Sequence, residues 1–254
     1  MRNATHLDLA GKAAIVTGGT RGLGRTIADR LVAAGCAVTI CGRALPEDLP
    51  AGLHFHRADV RDAEQAQALA DAAMAHHGRL DILVNNAGGS PQAEAATSSP
   101  RFAEAVIRLN LLAPLFMAQA SYPHLAAAGA GSIVNIASVS GVRPSPGTAM
   151  YGAAKAGLLN LTQSLAQEWG PANIRVNAIV AGLMRTEAAE ATYGDAAAQD
   201  AVGRSMPLGR MGTGDDLADA VIWLCSPMAG WVSGARLELD GGGERPYFLD
   251  LVKG

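Results

Sequence analysis

The chain has 254 residues, 49% apolar and 17% charged, with 30 glycines and 12 prolines, which excludes a disordered or collagen-like polymer. Twenty basic residues against 23 acidic ones give a net charge of -3; with no dense Lys/Arg run, the field of a nucleic-acid binder is missing. Aromatic residues make up only 4%, so the core must be packed from small and aliphatic side chains.

In chain order, short apolar runs alternate with helical patterns. Residues 13–17, 36–41, 53–57, 82–85, 132–137, 174–180 and 235–239 read as buried strands, because they are compact, mostly rich in Val and Ile, and bounded by turn-forming residues. The run at 53–57 is the weakest. Segments 24–34, 63–77, 102–128, 151–169 and 215–225 carry the 3.6-residue periodicity of helices. This alternation predicts right-handed βαβ units. The expected fold is α/β, a doubly wound parallel sheet (Rossmann fold) of about seven strands with helices on both faces. No repeat or linker interrupts it, so 1–254 is expected to form one domain.

Two regions break the rhythm. Residues 183–211 are long, Ala-rich and punctuated by Gly194, Gly203, Pro207 and Gly209, as in a lid or binding loop. The tail beyond Gly243 carries Tyr247 and Phe248. The simpler expectation is a tail docked on its own surface; the alternative is a tail reaching a neighbouring subunit's active-site rim. No uninterrupted apolar run reaches about 18 residues, and residues 1–12 are too polar for the apolar middle of a signal peptide. Cys36, Cys41 and Cys225 lack C-x-x-C spacing, so neither disulfides nor zinc are expected. These features together predict a cytoplasmic protein, without membrane or nucleic-acid partners.

The motifs carry the chemistry. Thr17-Gly18-Gly19-Thr20-Arg21-Gly22-Leu23-Gly24 leaves the first strand and opens the first helix. A glycine turn there brings backbone N–H groups and the positive helix end to a dinucleotide pyrophosphate. The second strand runs into Gly42-Arg43, where an NAD site usually has a carboxylate for the ribose 2′-hydroxyl. Arg43, with Arg21, suits a 2′-phosphate through its planar fork. NADP(H) is therefore the expected cofactor, with NAD(H) the alternative. Asn85-Asn86-Ala87-Gly88 closes the fourth strand, where Asn86, Ala87 and Gly88 can line a cofactor. Ser138 lies thirteen residues before Tyr151, and Tyr151 and Lys155 share one helix face at i, i+4.

On these residues the chain resembles the short-chain dehydrogenase/reductase family in its standard-length form, 3-oxoacyl reductases included. The motifs occur in the family's order from Thr17 to the Asp240-Gly241-Gly242 near the end. The resemblance implies Asn110, Ser138, Tyr151 and Lys155 as catalytic residues. It implies cofactor contacts from Gly18, Thr20, Arg21, Gly22, Leu23, Gly24 and Arg43, and adenine contacts from Asp59 and Val60. Asn86, Ala87, Gly88, Tyr151, Lys155, Gly182, Met184 and Thr186 would complete the cofactor site, with Lys155 on the nicotinamide ribose and Asn110 holding a water. Ala181 stands where the family usually has proline, which predicts a looser turn into the lid. A homotetramer or dimer is also implied.

The expected activity is NADPH-dependent reduction of a ketone, a 3-oxoacyl thioester or similar carbonyl, to a secondary alcohol. The reaction is reversible, with Tyr151 as acid and base. Alternatives are a steroid, polyol or polyketide-type alcohol dehydrogenase of the same family, or a non-catalytic NADP-binding regulator. An ammonium about 4 Å from the phenol would lower its pKa by about three units at an effective dielectric near 20. Arg185, Arg204 and Arg210 read either as contacts for an acidic carrier or coenzyme A phosphate, or as a solvated face. Two signals are set aside. The acceptor triplets at Asn3 and Asn160 read as chance, and His54, His56, His76 and His77 need no metal.

Overall fold

The computed structural model describes residue 7 and residues 9–187, 189–246 and 248–252. Seven parallel strands form one sheet: β1 (Ala13–Thr17), β2 (Ala37–Gly42), β3 (Leu53–Arg57), β4 (Ile82–Asn85), β5 (Gly131–Ser138), β6 (Ile174–Ala181) and β7 (Arg236–Leu239). Their order is β3-β2-β1-β4-β5-β6-β7. The chain builds outward from β1 to β3, then returns through helix α2 (Ala63–His77) to start β4 on the other side of β1. That reversal opens a crevice between the C-terminal ends of β1 and β4, the place where open α/β sheets bind ligands.

Successive residues of a strand face opposite sides, and the core divides accordingly. On one face Val16, Val84 and Val134 pack with Ile27 and Leu31 of α1 (Gly22–Ala33) and with Leu217 and Val221 of the last long helix, 214–225. On the other, Ile15, Leu83 and Ile133 meet Leu69 of α2 and Met117, Leu125 and Leu165 from the central helices.

Four elements differ informatively from the sequence reading. The helix expected at 102–128 is α3 (Pro100–Ile107), a π-helical turn (Arg108–Leu112) and α4 (Ala113–Ala127). Ser99 caps α3 through Phe102 N, with Pro100 in its first turn. Pro114 has no N–H to give the Asn110 carbonyl in the α pattern; within the π turn Ala113 N donates to Arg108 O. The run Pro100–Ala127 is long and apolar enough by composition to cross a membrane, which the count of uninterrupted apolar residues overlooked; Met117 and Leu125 in it are core residues. Both β5 and β6 run one residue further than expected, because Ser138 pairs with Ala181 in the ladder. Strand β2 starts one residue later, since Cys36 N bonds Leu31 O at the end of α1.

After β5 come a 3₁₀ turn (Val139–Gly141) and α5 (Ala149–Trp169). After β6 come α6 (Glu190–Tyr193), α7 (Ala196–Ser205) and α8 (Gly214–Cys225), and α9 (Phe248–Leu251) follows β7.

Candidate active site

The glycine turn lies at the crevice as its sequence predicts. Gly18 and Gly22 hold φ of 64° and 55°, a region L-residues rarely enter. At Gly24 a Cβ would lie 2.3 Å from both Gly18 O and Asn86 Nδ2, so α1 starts directly against the turn. Helices α2, α3, α7 and α8 are capped by Asp62, Ser99, Asp195 and Thr213, whereas α1 has no side-chain cap and no acidic residue in its first turn. Its first N–H groups have no side-chain acceptor among the described residues, and with the glycine turn beside them the cradle fits a dinucleotide pyrophosphate.

Thr17 was not among the expected site residues, yet it stitches the crevice together. Its Oγ1 accepts from Asn86 N and Ala87 N, both at 3.0 Å, and Asn86 Nδ2 returns to Thr17 O at 2.9 Å. Asn85 turns the other way, into a buried chain: Asn85 Nδ2 donates to Asn135 Oδ1, and Asn135 Nδ2 to Thr162 Oγ1, each at 2.9 Å.

Beyond β2 the chain passes through Gly42, whose missing side chain leaves room for Thr20, to an exposed Arg43. Neither Arg43 nor the exposed Arg21 forms an ion pair among the described residues. Asp59, just past β3, is held by Arg61 Nε at 2.9 Å and by Nη2, and that hydrogen bonding is the leading cause of its depressed pKa. Val60 beside it is buried.

Ser138, the last residue of β5, and Tyr151, in the first turn of α5, are neighbours, near enough for the serine hydroxyl to act on the phenol and oppose the rise in its pKa. Two glycines allow it. A Cβ on Gly141 would come within 2.8 Å of the Lys155 carbonyl carbon, and one on Gly152 within 2.8 Å of Ser140 O. The turn after Ser138 therefore packs backbone against backbone on α5. Lys155 is buried, donates to Ile136 O at 2.8 Å, and sits 5.5 Å from the Tyr151 ring centroid.

The titration expected of this pair is corrected. Burial lowers Lys155 to about 8. Tyr151 is raised, not lowered: burial leads, the Ser138 hydroxyl opposes it, and the neighbouring Tyr193 phenol adds to it. The ammonium lies over the ring and bonds to the backbone rather than to the phenol oxygen. Asn110 is fully buried, with Nδ2 donating to Gly89 O and Val106 O and Oδ1 accepting from Gly89 N, all at 2.9 Å. Its side chain therefore has little capacity left for the water assigned to it.

On the opposite side, Ala181 is no loose joint. It is buried and paired with both Ser138 and Leu239, and Gly182 N bonds Leu239 O at 2.9 Å. A Cβ on Gly182 would meet Asp240 Cα at 2.6 Å. Met184 is buried and bridges to Gly212, with Arg185 N donating to Gly212 O at 2.8 Å; Thr186 follows, half-buried. In the segment beyond, Arg185 pairs with Asp200 and Arg210 with Asp216, while Arg204 has no ion pair among the described residues. Asn177 bonds Val232 O and Ala235 N and so fastens the approach to β7.

The tail and the 183–211 segment both come near the residues around Tyr151. Glu244 Oε1 accepts from Arg143 Nη2 of the same chain at 2.8 Å; Tyr247 lies outside the described residues. Tyr193 of α6 was not singled out from the sequence, and its signal is spatial only: it is within electrostatic reach of Tyr151, Arg143, Glu244 and the Met184 backbone. Elsewhere, His54 stacks on His76 at 3.9 Å, and the described residues contain no group of ligands able to hold a metal. Asn3 lies outside the described residues, and Asn160 lies within α5.

The described geometry matches known proteins along most of the chain. A family profile described as enoyl-(acyl carrier protein) reductase matches residues 18–244. The 3-oxoacyl-[acyl-carrier-protein] reductase of Chlamydia muridarum is 34% identical over 244 residues, covering 92% of this chain and 98% of its own. The 2-dehydro-3-deoxy-D-gluconate 5-dehydrogenase of Escherichia coli (strain K12) is 36% identical over 243 residues, covering 92% and 96%. The ligand-free aldohexose dehydrogenase of Thermoplasma acidophilum superposes with a TM-score of 0.87 at 29% identity, over 92% of this chain and 94% of that one. Fold and relatives define an oxidoreductase that acts on CH–OH and C=O groups with a nicotinamide nucleotide. The chain belongs to the short-chain dehydrogenase/reductase family.

Proposed function

We propose that the protein is an NADPH-dependent ketone reductase, reversible as an alcohol dehydrogenase, with Tyr151 as acid and base. The observation that carries this reading is the meeting of Ser138, at the end of β5, and Tyr151, in the first turn of α5, beside the buried Lys155. When bound, the nicotinamide exchanges a hydride with the reacting carbon. Tyr151 gives its phenolic proton to the oxygen that becomes an alkoxide, and its raised pKa keeps that proton in place at neutral pH. Ser138 donates to the same oxygen. Lys155 binds the nicotinamide ribose, while the Asn110 carbonyl, deprived of an α-helical donor by Pro114, holds the relay water in place of the occupied side chain.

Gly18, Thr20, Gly22, Leu23 and Gly24 hold the pyrophosphate, Arg21 and Arg43 the 2′-phosphate, and Asp59 and Val60 the adenine. Asn86, Ala87 and Gly88 line the ribose, and Gly182, Met184 and Thr186 the nicotinamide. Support for NADPH over NADH comes from Gly42-Arg43, where no carboxylate opposes a phosphate. A 3-oxoacyl thioester substrate draws support from the name of a relative; the ion pairs of Arg185 and Arg210 add none. A homotetramer or dimer is supported by Pro100–Ala127, an apolar helical run only 33% buried over its most apolar stretch.

The test is initial-rate oxidation of NADPH and NADH side by side over an acetoacetyl thioester, a cyclic ketone, a keto sugar and a steroid ketone. Turnover with NADPH is expected. Turnover with NADH alone would overturn the cofactor assignment, and NADPH binding with no turnover would favour the regulator.

A further inference from the structure

Three elements distant in sequence converge at the mouth of the site. Arg143 stands five residues beyond Ser138, past the Val139–Gly141 turn that packs on α5. Tyr193 ends α6 on the lid side. Glu244 comes from the tail beyond β7 and forms an ion pair with Arg143 at 2.8 Å. Among the described residues the second guanidinium nitrogen, Nη1, is hydrogen-bonded only to the Pro144 carbonyl, at 3.3 Å. Tyr193 links this pair to the reacting centre. Its phenol is raised in pKa by burial first and by Glu244 second, Arg143 and the Met184 backbone oppose that rise, and it acts electrostatically on Tyr151. It therefore stays protonated and can donate.

We propose that Arg143, flanked by Tyr193, is an anion subsite of the substrate pocket, that Glu244 is its resident occupant, and that the enzyme selects ketones and alcohols bearing a carboxylate. The inference rests on Ser138 and Tyr151 as the reacting centre. The chemistry of the occupant suggests the ligand: a guanidinium fork matches a planar carboxylate, and the group now on it is one. The pair is also exchangeable. Its side chains are 39% and 42% exposed, and exposed ion pairs add little net stability, so an incoming carboxylate can replace Glu244 at small cost. Glu244 in turn screens the cation when no substrate is present, and it sets a threshold against weakly bound anions. A neutral ketone gains nothing from the exchange.

The probes are 4-oxopentanoate and its methyl ester, which present the same ketone with and without charge. With NADPH, the wild-type enzyme is expected to favour the acid in kcat/KM. Arg143→Gln should lower that acid-to-ester ratio by about tenfold or more, the scale of one charge-assisted hydrogen bond. Glu244→Gln should raise it several-fold by removing the competitor. A ratio that is the same in all three proteins overturns the proposal. A second readout needs no turnover: 4-oxopentanoate should raise the melting temperature of the NADPH-loaded protein most in Glu244→Gln and least in Arg143→Gln. Equal protection of the wild type and Arg143→Gln overturns the proposal. Protection in the expected order without turnover of either probe upholds the anion subsite and counts against the reductase reading alone.

Discussion

The ammonium of Lys155 donates to the carbonyl oxygen of Ile136 at 2.8 Å. That bond ties α5 to β5 and fixes the lysine between the strand carrying Ser138 and the loop carrying Gly88. Burial without a carboxylate partner lowers its pKa to about 8, far closer to neutrality than an exposed lysine.

A pH dependence follows, with its sign. Lys155 is charged below about 8 and neutral above, so NADPH affinity should weaken as pH rises through that value. Fluorescence titration between pH 6.5 and 9.5 measures it, and Lys155→Arg, charged throughout, should flatten the profile. The folding term has the opposite sign. Between about 8 and the unfolded lysine value of 10.5 the unfolded chain holds the extra proton, so the Lys155 contribution to stability rises with pH there. A steady NADPH affinity in the wild type would refute the ribose role.

Tyr151→Phe should retain NADPH binding and lose about 10²- to 10⁴-fold in kcat, the usual contribution of a positioned acid. Near-normal turnover would remove Tyr151 from the proton path.

Arg43→Asp should lower the preference for NADPH over NADH by about 10- to 100-fold, since it removes one charge-assisted contact and adds a repelling carboxylate. Comparing kcat/KM for the two cofactors decides it, and an unchanged ratio would place Arg43 in solvent.

Gly88→Ala would put a methyl 2.8 Å from Asn110 Oδ1 and 3.2 Å from Lys155 Nζ. Overpacking of this kind costs about 1–3 kcal/mol. A melting temperature lowered by about 2–12 °C, together with reduced turnover, is expected from calorimetry and kinetics.

Asn135→Ala deprives Asn85 Nδ2 and Thr162 Oγ1 of their shared partner. Loss of about 1–3 kcal/mol is expected in urea unfolding, and Asn135→Asp should recover little, since its second oxygen cannot donate to Thr162.

The strand and helix pattern was legible because buried parallel strands are short runs of Val, Ile and Ala, and their helices repeat at 3.6 residues. Strands β1, β3 and β4 fall where their side chains predict. The π turn at Arg108–Leu112 was not read, although Pro114 supplies its local cause. Thr17 lay inside a motif whose glycines drew attention, while its hydroxyl acquires a role only when β4 arrives beside β1. The fall in the Tyr151 pKa was expected from spacing alone. Spacing puts two side chains on one helix face but does not say which atoms meet, and the ammonium reached a carbonyl instead.

By itself the sequence determined the α/β class, the glycine turn, and the order in which serine, tyrosine and lysine follow one another, because local propensity and short-range spacing suffice for these. Only the tertiary structure decided that Ser138 ends a strand in register with Ala181, that Asn110 has its side chain fully engaged, and that Arg143, Tyr193 and Glu244 meet at one mouth. Those relationships join residues up to 101 positions apart. Long-range contacts are set by how the sheet and its loops close on one another, which no local pattern encodes.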